Sequence, residues 1–343
     1  IFGNGYNSTS ENAYLYIVNL DTGALIKKIA AGTATANGLS TPILHDSNND
    51  QMMDAAYAGD LQGNLWKFDL SGTTSASWAL ANAGNPLFKA RNDTGGVQAI
   101  TSQPVLGGNP AGGTMVYVGT GIYLGTTDIL DVTEQSFYGI WDNGTAILTT
   151  DRSELQEQSI IAETTEFSTE VRETTTNTVS YPTKRGWYMD FDTPSPAGER
   201  VVTQALLRYG RVIFLTLTPS TAACVPGGTS WLMELDALTG AAMSGSNFDF
   251  NNDGLFDSAD NLASGGTAAG IKTTVGITKP PAWFAAAPSS SGPPAVDIKI
   301  MTGTTGGIQS TKNKGASSTG APVPGGGGGG GGGAPRLYWR QIQ

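Results

Sequence analysis

The chain has 343 residues, of which 39% are hydrophobic, so it has ample apolar side chains for a core. It carries 19 Lys and Arg residues against 29 Asp and Glu residues, which gives a formal net charge of −10. This acidic balance, without a basic stripe, excludes the phosphate-neutralising surface that nucleic acids require and favours cations as ligands.

The start of the sequence shows no targeting signal. No charged-then-apolar segment stands at Ile1, and no stretch approaches the roughly 20 apolar residues of a membrane-spanning helix. We therefore expect no transmembrane segment. We also expect that the chain starts within a longer protein or after processing.

Short runs rich in β-branched and aromatic residues recur along the chain, separated by Gly, Asn, Asp and Pro, whereas helical periodicity is scarce. This pattern predicts an all-β fold with too many strands for one flat sheet. The clearest runs are 14–18, 54–58, 64–68, 115–118, 136–140, 187–189, 211–215, 230–235, 297–300 and 336–339.

Three of these runs end in a similar way. At 16–23, 65–72 and 231–240, an apolar strand is followed by Asp, a small polar residue and Gly, which predicts the exit of a strand into a tight hairpin. Hairpins repeated in this manner are typical of the four-stranded blades of a β-propeller. About 300 ordered residues at roughly 40 to 50 residues per blade predict six or seven blades.

Two segments depart from the pattern. Residues 154–184 are rich in Glu and Thr, which predicts a β-hairpin insertion or an exposed edge strand. Residues 311–334, with nine consecutive glycines at 325–333, predict a flexible Gly-rich loop. The final residues, 335–343, return to strand-like composition, so we expect a last strand that closes the first blade and removes an exposed edge.

An acidic motif of the form D-x-N-x-D-x-φ-x-D occupies residues 46–54. It places the side chains of Asp46, Asn48, Asp50 and Asp54 at alternate positions, with the carbonyl of Met52 as a further oxygen. Calcium takes roughly six to eight oxygen ligands, and this is the ligand order of an EF-hand loop. We predict a calcium site that water completes, because the sharp-turn glycine and the twelfth-position carboxylate of an EF-hand are missing.

The same rhythm returns at 249–260, where the match is fuller. Gly254 stands at the sharp-turn position and an Asp stands at position 12, although Asp is shorter than the usual Glu. The predicted ligands are Asp249, Asn251, Asp253, the carbonyl of Leu255, Asp257 and Asp260. In the alternative interpretation both motifs are solvated turns, because Asn and Asp bond their own backbone, but a turn has no use for a fourth such residue at fixed spacing.

Other kinds of site find little support. The chain has one cysteine, Cys224, and one histidine, His45, which excludes a zinc site and a disulfide within the chain. A Ser/His/Asp triad would need His45, which precedes the first acidic motif and to which we assign no role, and no phosphate-binding loop is present. A hydrolase with two carboxylates stays open, because any two acids could meet in space.

Several phrases, in one order along the chain, resemble the C-terminal domain of the PilC/PilY family of type IV pilus proteins. They are FGNGYNS at 2–8, AGDLQGNLWKFDL at 58–70, QSFYGIWD at 135–142, RGWYM at 185–189, GERVV at 198–202, GTSWLMELD at 228–236 and the WRQ ending at 339–341. The resemblance runs from end to end and implies a modified β-propeller that spans residues 1–343, at the C-terminus of a longer secreted protein.

The resemblance also implies a function. Proteins of this family are extracellular, at the pilus tip and the outer membrane, where they promote pilus assembly, oppose retraction, and support twitching motility and adhesion. Their partners are minor pilins, the pilus machinery and host-cell surface receptors. Their propeller holds a calcium loop that regulates extension and retraction, and residues 46–54 match that loop. The second loop rests on its spacing alone.

These observations favour a non-enzymatic, calcium-responsive regulator of the pilus. One alternative is a quinoprotein dehydrogenase, because propellers with Asp-x-x-Thr-Gly hairpins also hold pyrroloquinoline quinone beside calcium, but a single cysteine cannot supply the vicinal pair typical of those enzymes. Another is a calcium-dependent lectin or receptor-binding module. Its stacking platform would use four tryptophans that otherwise belong in the core, namely Trp66, Trp141, Trp187 and Trp231.

Overall fold

The structure is a computed structural model that describes residues 1–8, 11–193, 197–222, 227–285 and 295–315. Within these ranges the chain forms 24 β-strands and three short 3₁₀ helices, at Asn82–Gly84, Thr126–Leu130 and Ser258–Asp260, so the all-β prediction is confirmed. The strands are β1 (Phe2–Gly3), β2 (Tyr14–Val18), β3 (Leu25–Ala30), β4 (Ile43–His45), β5 (Ala55–Gly59), β6 (Asn64–Asp69), β7 (Ala79–Leu80), β8 (Phe88–Lys89), β9 (Val105–Gly108), β10 (Thr114–Gly119), β11 (Ser136–Asp142), β12 (Gln156–Gln158), β13 (Ile160–Glu166), β14 (Thr169–Thr174), β15 (Gly186–Asp190), β16 (Leu206–Arg208), β17 (Arg211–Leu215), β18 (Thr218–Pro219), β19 (Gly228–Thr229), β20 (Trp231–Asp236), β21 (Gly270–Lys272), β22 (Ala282–Ala285), β23 (Val296–Thr302) and β24 (Ile308–Lys314).

Most of these strands belong to five sheets that follow one another along the chain, except that β13 and β14 of the fourth sheet precede β15 of the third. The first sheet has the order β1-β2-β3, and the second has the order β4-β5-β6-β7, with β8 also paired to β6. The third is β12-β15-β11-β10-β9, the fourth is β13-β14-β21-β20-β17-β16, and the fifth is β22-β23-β24. The strands β18 and β19 form a separate pair. Strand pairing is antiparallel except for β12, which runs parallel to β15.

The core of the described residues lies between successive sheets. Sheets that pack face to face in chain order are the blades of a β-propeller, as predicted, whereas the blade count of six or seven stays a prediction. Four buried clusters fill the spaces between the first and second sheets (Leu15, Trp66), the second and third (Leu65, Val116), the third and fourth (Phe137, Phe214), and the fourth and fifth (Leu232, Met301).

The apolar pattern of each strand follows from this packing. Strands β10 and β11 are buried along their whole length, because other sheets cover both of their faces, and apart from the final Asp142 of β11 their sequences are runs of apolar and small residues. Strand β2 alternates between buried and half-buried residues, because one face of the first sheet is open. Nine of the ten predicted runs lie within strands to within one residue; the tenth, 336–339, lies outside the described residues, as does Cys224.

The segment 154–184 supplies strands to two sheets. Strand β13 is an edge strand and is mostly exposed, but β14 is more buried and pairs with both β13 and β21. Within β14, Arg172 is buried and forms two bonds of 2.6 Å with the Glu199 carboxylate. The hairpin is thus built into the fourth sheet.

The predicted start of the Gly-rich loop, at residue 311, lies too early in the sequence, because β24 extends to Lys314 by pairing with β23. The remainder of the predicted loop, residues 316–334, lies outside the described residues.

The repeated strand exits lead to different kinds of connection. After β2 the chain returns at once as β3, and Asn19 holds the turn by accepting bonds from the backbone amides of Asp21 and Thr22. After β20 the chain also turns tightly, but the strand that returns is β21, which starts at Gly270. The prediction of a tight hairpin is therefore wrong for this third exit, and also for the second, where residues 70–78 separate β6 from β7. The long connection between β20 and β21 contains the second acidic motif.

Candidate calcium-binding loops

The first acidic loop, residues 46–54, joins β4 to β5. The loop closes where the backbone amide of Asp54 donates to the carbonyl of His45 (2.9 Å), next to the paired residues His45 and Ala55. Residues 47–53 are exposed, and Met52 is 68% exposed. His45 lies at the mouth of the loop, where burial, and then the Lys67 charge, lower its pKa. A cation could therefore reach the first loop directly from solvent.

Asp54 closes the first loop from its far end. Its carboxylate accepts bonds from the Ser47 hydroxyl and from the Ser47 backbone amide (2.8 Å). The two hydrogen bonds lower the pKa of Asp54, because they stabilise its charged form. The carboxylate is thus held ionised and turned into the loop, as a cation ligand requires.

The second acidic loop, residues 249–260, shares four internal hydrogen bonds with the first. Equivalent amides donate to equivalent side-chain oxygens at positions 1, 3 and 5. The Gln51 amide donates to Asp46 Oδ2 (2.8 Å), as the Gly254 amide does to Asp249 Oδ2 (3.1 Å). The Asp50 amide donates to Asn48 Oδ1 (2.9 Å) and the Met52 amide to Asp50 Oδ1 (2.8 Å), as the Asp253 amide does to Asn251 Oδ1 (2.9 Å) and the Leu255 amide to Asp253 Oδ1 (2.7 Å). The side-chain nitrogen Asn48 Nδ2 donates to Asp50 Oδ2 (3.1 Å), as Asn251 Nδ2 does to Asp253 Oδ2 (3.0 Å).

The backbones of the two loops also turn at the same positions. Position 4 is left-handed in both, with φ of 61° at Asn49 and 63° at Asn252. Position 6 is left-handed as well, with φ of 71° at Gln51 and 82° at Gly254. Glycine takes this conformation without strain, whereas a residue with a side chain is disfavoured there by about 1 kcal/mol. The sequence rhythm has therefore produced one loop conformation twice.

The twelfth position distinguishes the second loop. Asp260 is fully buried, and its carboxylate accepts bonds from the backbone amides of Phe250 (2.8 Å), Asn251 (3.3 Å) and Asp257 (3.3 Å). Asp257 caps the short 3₁₀ helix by accepting a bond from the amide of Ala259 (2.8 Å). Asp260 thus ties the end of the second loop to its beginning, whereas the equivalent position in the first loop is a residue of β5.

One oxygen at the second loop finds no partner among the described residues. Asp249 is 7% exposed, and its Oδ1 atom is buried with no hydrogen-bond partner in that part of the chain. Its Oδ2 atom accepts from Gly254 and lies 3.7 Å from Nζ of Lys312. A buried carboxylate oxygen is costly to leave unpaired. This oxygen belongs to the first of the predicted ligands.

A further acidic group was not predicted. Among the described residues, the carboxylates of Asp93, Glu134 and Asp190 are the three acids that lie within 4.8 Å of one another, whereas those of the two loops are more widely spaced. Arg152 already supplies a cation to this group, since it pairs with both Asp93 and Asp190 (2.7 Å to the latter). The three acids come from separate segments with no common motif, so the sequence offered no signal for them.

The structure does not place the four tryptophans of the lectin hypothesis on a surface. All four are buried, and Trp187 is held between Gly139 and Gly240, where a side chain at either glycine would collide with its ring. The prediction that Trp66, Trp141, Trp187 and Trp231 form a stacking platform is therefore wrong.

The Asp-x-x-Thr-Gly hairpin of the quinoprotein hypothesis has a structural role, because Asp236 accepts bonds from the amides of Leu238 and Thr239 within the turn. Among the described residues, no helix combines the length and apolar character that crossing a bilayer demands.

Comparison with known proteins identifies the family. Residues 1–171 match the family model of the PilY1 β-propeller domain. A type IV pilus biogenesis factor PilY1 homolog from Xylella fastidiosa is 40% identical over 264 residues, and PilY1 from Pseudomonas aeruginosa is 36% identical over 296 residues. These alignments cover 71% and 75% of this chain, but 18% and 26% of the relatives. The chain thus spans about a quarter or less of their length.

A solved structure supports the same assignment. The crystal structure of the Pseudomonas aeruginosa PilY1 C-terminal domain aligns with a TM-score of 0.75 and 29% sequence identity, covering 92% of this chain and 69% of that one. The resemblance inferred from the order of the sequence motifs is confirmed. Together with the family model and the curated relatives, this fold match shows that the chain belongs to the PilY1 β-propeller family.

Proposed function

We propose that this chain is a non-enzymatic, calcium-responsive module of a type IV pilus biogenesis factor. The observation that carries the proposal is the shared conformation of the two acidic loops, whose side-chain oxygens have the order that calcium favours. Relatives that contain a similar domain are named type IV pilus biogenesis factors. The chain would then regulate pilus extension and retraction, and with them twitching motility and adhesion.

The residues present suit calcium. All the proposed ligands are hard oxygen donors, and the buried, unpartnered Oδ1 of Asp249 is an oxygen that a cation would satisfy. Asp46, Asn48, Asp50, Asp54 and the Met52 carbonyl would hold one ion. Asp249, Asn251, Asp253, the Leu255 carbonyl, Asp257 and Asp260 would hold a second, although Asp260 already accepts three bonds from backbone amides. When bound, calcium would supply positive charge to the carboxylates of both loops.

Calcium would regulate the module by stabilising the folded conformation of a loop relative to its unfolded conformation. A ligand that binds only the folded loop, at a free concentration of a hundred times its dissociation constant, stabilises that state by about 2.7 kcal/mol. The first loop is exposed, so a partner protein could sense whether it is ordered. We propose that minor pilins and the pilus machinery are such partners, that host-cell receptors are a further class, and that the module acts outside the cell, at the pilus tip or the outer membrane.

Calorimetric titration of calcium into chelator-stripped protein tests the cation sites. Wild-type protein should bind two ions; Asp54→Ala should lose one and Asp257→Ala the other. Asp69→Ala is the matched control, because Asp69 is an exposed turn aspartate outside both loops. Failure of the wild-type protein to bind calcium, or two unchanged sites in Asp54→Ala, would contradict the proposal.

The pilus role needs a test in cells. Asp54→Ala in the full-length protein should reduce surface pili and twitching, and Asp69→Ala should leave both unchanged. Normal motility in an Asp54→Ala strain whose purified protein has lost the first calcium site would separate calcium binding from pilus regulation.

A further inference from the structure

We infer that Lys312 is a built-in counter-ion of the second loop, which competes with a divalent cation for Asp249 and weakens calcium binding there. This inference rests on the proposed calcium site at 249–260. It assigns a regulatory role to a residue of β24, a strand that lies far from the loop in sequence. It also predicts that the two loops respond to different calcium concentrations.

Lys312 contacts Asp249 in two ways. Its ammonium lies 3.7 Å from Asp249 Oδ2, and its backbone carbonyl accepts a bond from the Asp249 amide (3.2 Å). The Asp249 side chain is fully buried, whereas that of Lys312 is 40% exposed. The charge of Lys312 therefore offsets part of the charge of a buried carboxylate, while its exposure leaves room for the ammonium to move away.

The strand that carries Lys312 is fixed. The next residue, Asn313, is buried, forms an isolated bridge with Phe248 and donates to Oε1 of Glu234 (2.8 Å). Glu234 is itself buried and pairs with Lys299 and Arg211. These contacts anchor β24 beside the loop, so the ammonium stays within reach of Asp249 without a conformational change.

The part of the chain that the structure describes places no equivalent lysine at the first loop. Both oxygens of Asp46 accept bonds from backbone amides, from Asp50 (3.3 Å) and Gln51 (2.8 Å). The nearby Lys67 is engaged elsewhere, since it pairs with Asp142 at 2.7 Å. Among the described residues no ion pair involves an acid of the first loop. The two loops thus share a conformation but differ in their nearest cation.

The expected effect is moderate. A monovalent and a divalent cation that share one carboxylate repel each other, and near a solvent-exposed lysine the repulsion is reduced by water and salt. We expect Lys312 to weaken calcium binding by about three- to tenfold, a range typical of a partly screened charge pair. The weakening should diminish as ionic strength rises, because salt screens the exposed ammonium.

The test compares Lys312→Met with Lys89→Met, both in the Asp54→Ala background, which leaves the second loop as the calcium site. Lys89 lies in β8 of the second sheet, and its substitution removes the same net charge. Calorimetry at low and high salt should show that Lys312→Met tightens calcium binding three- to tenfold at low salt and less at high salt, while Lys89→Met leaves it within twofold. Calcium-free Lys312→Met should also melt at a lower temperature.

The outcomes separate the two proposals. Calcium binding that is equally tight with Lys312→Met and with its parent would overturn the counter-ion role and leave the site intact. Weaker binding in Lys312→Met would overturn it too, because the lysine would then support the site. Absence of calcium binding in both the parent and Lys312→Met would overturn the second calcium site, and the competition with it.

Discussion

The ring of Phe167 stacks on the ring of Phe250, with centroids 4.7 Å apart and planes within 4°. Phe167 lies at the turn of the β13–β14 hairpin, and Phe250 is the second residue of the second acidic loop. Beside this stack, the Glu166 carboxylate accepts a bond from the amide of Ala263 (2.7 Å). The inserted hairpin thus packs its tip on the loop that we propose binds calcium.

We predict that Phe167→Ala weakens calcium binding at the second loop by about two- to tenfold. A stacked aromatic pair contributes about 0.5–1.5 kcal/mol beyond its buried area, and its loss frees the start of the loop, which binding must then order. Calorimetry in the Asp54→Ala background measures the affinity. Phe284→Ala is the control, because Phe284 is also exposed but lies in β22. Equal affinities in both variants would show that the hairpin does not support the loop.

A buried aspartate organises the corner between β5 and β6. Asp60 accepts side-chain bonds from Asn37 (3.0 Å), Asn64 (2.9 Å) and Trp66 (2.8 Å), and backbone bonds from Gln62 (2.9 Å) and Asn64 (2.8 Å). Its side chain therefore joins a loop of the first sheet to a core tryptophan of the second. Gly59 and Asp60, within the phrase at 58–70, thus form a structural corner.

We predict that Asp60→Ala lowers the free energy of unfolding by about 3 kcal/mol or more, because several buried donors lose their acceptor at once. Urea unfolding followed by tryptophan fluorescence measures the change. In contrast, Asp69→Ala should cost less than about 1 kcal/mol, since Asp69 accepts bonds from Ser71 alone in an exposed turn. A similar small loss in Asp60→Ala would mean that water replaces the carboxylate.

Glu134 makes stability depend on pH near neutrality. Burial, and then the negative charge of Asp190, raise the pKa of Glu134 to about 7. One of its carboxylate oxygens is buried and has no hydrogen-bond partner among the residues that the structure describes. The folded state therefore holds the proton more tightly than the unfolded state, whose glutamate has its ordinary pKa of 4.5. This contribution to stability is complete below pH 4.5 and is lost as the pH rises through 7.

We predict that Glu134→Gln, which stays neutral, melts at about the same temperature as wild type at pH 5 and at a higher temperature at pH 8. Thermal unfolding in chelator at both pH values measures the difference. Glu11→Gln, at an exposed position, is the control and should show no such divergence. A constant difference between Glu134→Gln and wild type across this range would contradict the raised pKa.

Local patterns predicted the strands and the two loops. A strand such as Arg211–Leu215 is recognisable because its side chains are apolar over its whole length after the first residue. The acidic loops are recognisable because the four hydrogen bonds that they share join residues two to five positions apart. Both features involve residues that are close together in the sequence, so the sequence alone is enough to recognise them. The order of the motifs was also sufficient to identify the family.

Contacts between distant segments were decided by the tertiary structure alone. The parallel pairing of β12 with β15, the position of Phe167 on Phe250, and the grouping of Asp93, Glu134 and Asp190 have no local pattern. The same is true of Lys312, whose partner Asp249 lies on another segment. Hydrophobic packing brings the sheets together whatever the distance between their strands in the sequence. Only the folded chain therefore shows which charged groups and aromatic rings come into contact.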